Sequence, residues 1–122
     1  MANNKALSNQ HLLVICDLDF PRLQAELGDL ESIELDQFSE TIKKIQKMTW
    51  DQIYKTSSKT QKRGLNWEII ESQVTRSGKK VASIRVTKKF RARVCRDKSI
   101  MRFISLHPDH DSTYDEVGDE NI

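Results

Sequence analysis

The chain has 122 residues, with 20 Lys or Arg against 18 Asp or Glu and a formal net charge of +2. That length makes one domain, large enough to bury a core without metal or disulfide staples. It excludes a membrane-spanning helix, because the apolar run inside His11–Phe20 is too short, and that run lacks the basic flank of a secretory leader; a cytoplasmic protein making no membrane contact is expected. The small net charge hides a segregation. Residues up to Asp36 hold seven acids and two bases, Arg76 to Arg102 hold eleven bases and one acid, and Asp109 to the end hold six acids and no base. A polyanion would meet the middle of this chain and be repelled by both ends.

In chain order, residues 1–10 are polar and expected to be a flexible N-terminus. Residues 11–114 form the single domain, and 115–122 an acidic flexible tail. The apolar, partly β-branched run Leu12–Cys16 predicts a strand buried on both sides, or one in the middle of a sheet, that Pro21 closes. Arg22–Leu35 has helical propensity, but Gly28 leaves room for only a short turn. Leu35, Phe38, Ile42, Ile45, Met48 and Ile53 recur at helical steps with Lys43, Lys44 and Lys47 on the other face, which predicts a helix over 36–54 with Trp50 and Tyr54 on its apolar side. Lys55–Gly64 has four bases and no apolar residue, and reads as a loop, either simply solvated or contacting phosphate. Leu65–Val74 is β-branched enough to read as a strand. Cys16 and Cys95 lie in apolar strand-like runs, where buried free thiols in a reducing compartment are expected.

The basic middle of the chain alternates with a period of two. Arg76-Ser77-Gly78-Lys79 is a hairpin turn with glycine where positive φ is needed, and strands follow over Val81–Thr87, Phe90–Arg96 and Ser99–His107. The alternation puts Ser83, Arg85, Arg91, Arg93 and Cys95 on one face and Ala82, Ile84, Phe90, Ala92 and Val94 across from them. In the last strand Met101, Phe103 and Ser105 alternate with Arg102 and Ile104. The order implies an α+β fold, a small antiparallel and partly mixed sheet of four to five strands on one or two helices.

A sheet that buries Phe, Val and Ile on one side and presents arginines on the other suits a polyanion, because each guanidinium grips a phosphate with two parallel hydrogen bonds. At its end stand His107 and His110, imidazoles that titrate near neutral pH. The enzymatic reading is metal-independent RNA cleavage by attack of the ribose 2′-hydroxyl on the neighbouring phosphate. His107 or His110 is then base or acid, Arg85 and Arg91 hold the phosphate, and Tyr114 stacks or hydrogen-bonds. Lys88, Lys89, Arg93 and Arg102 add RNA contacts. A metal site from His107, Asp109, His110 and Asp111 is disfavoured by a spacing that suits a helix where Pro108 argues for a turn, so no metal and no cofactor is expected. A third reading drops catalysis and makes the basic sheet a docking surface for nucleic acid or an acidic partner.

With SIRVTKKFRARVCRDKSIMRFISLHPDHDSTY in view, the chain resembles the RelE/ParE superfamily of bacterial toxins over about residues 65–114, through Arg85, Phe90, Arg91, His107 and Tyr114. The resemblance implies a RelE-like fold and a toxin of a type II toxin–antitoxin pair. It further implies a cognate antitoxin as partner, and inhibition of translation by cleavage of mRNA, free or on the ribosome. A gyrase-directed action, known for the ParE branch, is the alternative target. The chain departs from the family in its longer acidic N-terminal portion, its acidic tail and its HPDHDSTY ending.

Overall fold

The computed structural model describes residues 10–57 and 64–109. The elements are β1 (Ile15–Asp17), α1 (Pro21–Gly28), α2 (Ser32–Ile45), α3 (Trp50–Thr56), β2 (Glu68–Val74), β3 (Lys80–Arg85), β4 (Arg91–Asp97) and β5 (Ile100–His107). The strands make one mixed five-stranded sheet in the order β1-β5-β4-β3-β2, antiparallel except for the parallel β1–β5 pair. The result is the α+β arrangement that the pattern implies, with three helices among the described residues where one or two are expected.

Helix starts follow local chemistry. Pro21 opens α1 where no amide hydrogen is required. Reciprocal capping boxes begin α2 (Glu31 with Glu34) and α3 (Thr49 with Gln52). The single helix expected over 36–54 is therefore two. Its break falls at Gln46–Thr49, where the Met48 carbonyl accepts from Val14 N at 2.9 Å and Thr49 bridges to Leu13. The N-terminal segment thus takes backbone groups that a continuous helix would have used. The turn at Gly78 (φ +86°) is as the sequence indicates.

The Leu12–Cys16 expectation needs a larger correction. Only Ile15–Asp17 is strand, at a sheet edge, and Leu12, Leu13 and Ile15 are exposed. Val14 alone of that run is buried. Beyond Asp17 the outer edge of β5 is covered by α1, whose Glu26 Oε1 accepts from Leu106 N at 2.7 Å. An unmet strand amide is satisfied there by a carboxylate that Arg22 holds at 2.9 Å.

Leu23, Phe38, Ile45, Trp50 and Ile53 of the helices pack on Ala82, Ile84, Ala92, Val94, Met101, Phe103 and Leu106, and this is the main core. Phe38 meets Phe103 edge-on at 5.5 Å. A smaller cluster of Ile70, Val81, Cys95 and Ile104, joined by Phe20, lies apart from it. Both cysteines are free. Burial pushes the Cys16 thiol up to about 12 and raises that of Cys95, so neither is a reactive thiolate. Among the described residues no helix is long and apolar enough to cross a membrane.

β1 is tied to β5 by Arg102 Nε, which donates to Asp17 Oδ2 at 2.9 Å. That hydrogen bond, more than any other cause, holds the Asp17 carboxyl below its ordinary 3.8. A depressed carboxylate contributes stability above its unfolded value and loses it as pH falls through the folded one. Asp17→Asn should therefore lower stability by up to about 1 kcal/mol at neutral pH, the scale of a half-exposed pair. In urea titrations the gap between variant and parent should close once pH drops below the carboxylate range.

Candidate functional site

The site grows from strand register. Arg85 of β3 lies directly opposite Arg91 of β4, and Arg91 directly opposite His107 of β5. One step inward, Ser83, Arg93 and Ser105 form a parallel row, with Glu68 of β2 opposite Ser83. Directly paired residues share a face at a Cα separation of about 5 Å, so two guanidinium groups and an imidazole converge at one end of the sheet. The turn between β3 and β4 adds the exposed Lys88 and Lys89 at that end.

His107 reaches this face because of a bulge. Arg93 pairs with Ser105 while Val94 pairs with Phe103, leaving Ile104 as an extra residue in β5. Strict alternation would have kept Ser105 and His107 with Met101 and Phe103, on the helix side. The bulge turns both onto the arginine face, and Ile104 packs there with Val81 and Cys95. The expectation that Met101, Phe103 and Ser105 share a face is corrected by this one insertion.

The row is held by a polar network inside the protein. Arg91 Nε donates to Ser83 Oγ at 3.0 Å and its Nη2 to the Asn66 carbonyl at 3.4 Å. Arg93 Nη1 donates to Gln73 Oε1 at 3.2 Å. His107 Nε2 and Ser105 Oγ lie 2.8 Å apart. A hydroxyl can donate to a neutral ring nitrogen or accept from a protonated one, so the imidazole keeps this partner in both charge states. The loop that brings up Asn66 depends on Gly64. Its φ is +63°, and a Cβ there would stand 2.7 Å from the Thr56 carbonyl oxygen. The neighbouring Leu65 carbonyl accepts from Arg85 N at 2.7 Å.

Enclosure is the property that the sequence reading did not anticipate. Arg91 is 3% exposed, Arg93 0% and His107 7%, whereas Arg85 is half-buried. Arg93, read as an RNA contact, is a buried side chain of the network. Arg102, read likewise, sits at the far end of β5 in its pair with Asp17 and 3.7 Å from Asp97. Arg96 belongs to the helix side, where its guanidinium lies 4.3 Å from the Trp50 ring centre and donates to Tyr54 Oη at 3.1 Å. The eleven bases of the middle stretch are thus divided between several environments, and the cationic end is built from Arg85, Lys88, Lys89 and Arg91. His110 and Tyr114 lie outside the described residues, as do most of the Lys55–Gly64 loop, residues 1–9 and the acidic tail. Of the four metal-ligand candidates only His107 and Asp109 are described, and among the described residues no group of three or more His, Cys, Asp or Glu could hold a metal.

The residues that sequence reasoning missed are Ser83, Ser105, Gln73 and Asn66. Ser83 and Ser105 stand two positions before Arg85 and His107, and a small hydroxyl residue at that step of a buried polar face is the signal that could have found them. No family model, no curated protein and no solved structure matches this chain.

Proposed function

We propose that the chain is a type II toxin acting as a metal-independent RNA endonuclease in the cytoplasm, held in check by a cognate antitoxin. The observation that carries the reading is the Arg85–Arg91–His107 row. Guanidinium groups at directly opposed positions can each give a phosphate charge-assisted hydrogen bonds. A phosphodiester placed there has cations over its developing charge and an imidazole at its edge. The 2′-hydroxyl oxygen attacks phosphorus, the bond to the 5′-oxygen breaks, and the products are a 2′,3′-cyclic phosphate and a 5′-hydroxyl. One proton leaves the 2′-hydroxyl and one arrives at the 5′-oxygen; His107 handles one of the two, with Ser105 as its fixed partner. Lys88 and Lys89 draw the strand in, and His110 and Tyr114 complete the proposed machinery. The target is mRNA, free or on the ribosome.

The enclosure of Arg91, Arg93 and His107 leaves Arg85, Lys88 and Lys89 as the accessible cations of this end, which favours a second reading, a docking face for an acidic protein segment without catalysis. Induction of the full chain in a bacterium separates the two. The toxin reading expects growth arrest and mRNA fragments with 5′-hydroxyl ends, formed also in a chelator. Normal growth with intact RNA, with and without ribosomes in vitro, would overturn it.

A further inference from the structure

A groove of about 480 Å³, a volume that suits a small ligand, opens between α2 and the residues that follow β3. Ile33 of α2, 63% exposed, and Val86, which packs against the main core, give it an apolar lining. Asp36 and Gln37 face it from one turn of α2, and Lys44 from two turns further on. Among the described residues nothing hydrogen-bonds or ion-pairs with these three side chains, whereas Glu40 on the same stripe lies 3.5 Å from Lys43. Thr87, also in the lining, leads directly into the exposed Lys88 and Lys89.

We infer that this groove binds a guanine base whose phosphate rests on Lys88 and Lys89. Apolar walls take the faces of a flat ring, and a carboxylate accepts two parallel hydrogen bonds at the ring's edge. Guanine alone among the four RNA bases offers two adjacent donors there, N1–H and the N2 amino group, with the acceptors O6 and N7 together on its other side. The Cα atoms of Asp36 and Lys44 stand about 12 Å apart, eight residues of helix. Helical side chains lean toward the N-terminus, which tips the long Lys44 stem toward Asp36 and carries its ammonium to O6 and N7. Gln37 adds an amide that can donate to O6. Adenine sets an acceptor, N1, against the carboxylate and leaves it short of a donor. Charge fixes the orientation: Asp36 and Glu40 repel a phosphate and the lysines of the turn attract it, so the base enters and the phosphate stays outside. Arg85 ends β3 immediately before Val86, its side chain in the row on the opposite face, so an RNA strand crossing the turn meets groove and row together. That extension to RNA rests on the endonuclease reading; the guanine site does not.

The test titrates the isotopically labelled full chain with guanosine and adenosine 5′-monophosphates. The backbone amides of Val86 and Thr87 and the side-chain amide of Gln37 should shift and saturate with the guanine nucleotide, and the adenine nucleotide should bind at least tenfold more weakly. Asp36→Asn should bring the guanine nucleotide down to the adenine level, while Asp29→Asn, the same charge change at an exposed site on another element, should leave it at the parental affinity. No saturating shift at the groove, equal affinities for the two nucleotides, or an Asp36→Asn protein that binds as the parent does would each overturn the site. Two short non-cleavable 2′-deoxy oligonucleotides, runs of thymidine with a single guanine or a single adenine, then identify the source of the base. Preference for the guanine strand, with groove and row shifting together, assigns the site to RNA. Binding of the free guanine nucleotide but of neither strand removes the endonuclease reading and leaves the guanine site standing. Equal binding of both strands at the row, with the free nucleotide ignored, overturns the guanine site and leaves the endonuclease reading.

Discussion

His107→Gln should lower the single-turnover rate of RNA cleavage by about 10²–10⁴-fold, the range that a positioned general acid or base supplies. Glutamine keeps a polar side chain opposite Arg91 and beside Ser105, but it neither takes up nor releases a proton near neutral pH. The accompanying loss of stability should stay near about 1 kcal/mol, the scale of one hydrogen bond, here that to Ser105 Oγ at 2.8 Å. Rate and stability are therefore read on the same sample, by quenched-flow cleavage of a labelled RNA and by urea unfolding. A variant that stays folded and cleaves at the parental rate would remove His107 from the chemistry.

The largest structural effect is expected at Trp50, the first residue of α3. Its ring is fully buried, meets Trp67 edge-on at 5.3 Å and carries the Arg96 guanidinium 4.3 Å from its centre. Its indole Nε1 donates to the Ser99 carbonyl at 3.0 Å, tying α3 to the turn that starts β5. Trp50→Ala should cost about 3–5 kcal/mol, a large part of the roughly 5–15 kcal/mol that holds a domain together. Trp50→Phe keeps most of the apolar volume and loses the hydrogen bond, so about 1 kcal/mol is expected. Urea midpoints at an unchanged slope measure both. Equal losses for the two variants would show that the hydrogen bond, and not the ring's packing, fixes this corner.

Strand content was legible because period two is a local signal: the alternation through Val81–Arg85 and Arg91–Cys95 is the observed register of β3 and β4, and Gly78 marks the turn from β2 into β3. The face of His107 was not legible. One inserted residue, Ile104, reverses every later side chain of β5, and nothing in a run of Phe, Ile and Ser announces it. The break between α2 and α3 was hidden for a related reason. Apolar spacing continues across Gln46–Thr49, while the competing backbone partner, Val14, comes from far away in sequence. β1 misled through composition, since an apolar run reads as interior although Leu12, Leu13 and Ile15 face outward at an edge. Charge density showed where basic residues are frequent, but it could not show that Arg93 turns inward, Arg96 stacks on Trp50 and Arg102 pairs with Asp17.

The central claim is that the Arg85–Arg91–His107 row is where this protein receives a phosphodiester. Titration of the isotopically labelled full chain with a short, non-cleavable 2′-deoxy oligonucleotide at low salt and in a chelator tests it most directly. The Nε–H resonances of Arg85 and Arg91 and the ring resonances of His107 should move first and saturate together, and Arg91→Ala should abolish the response. Saturating shifts confined to Lys43 and Lys44 of α2 and Lys47 of the turn after it, with the row unmoved, would contradict the account.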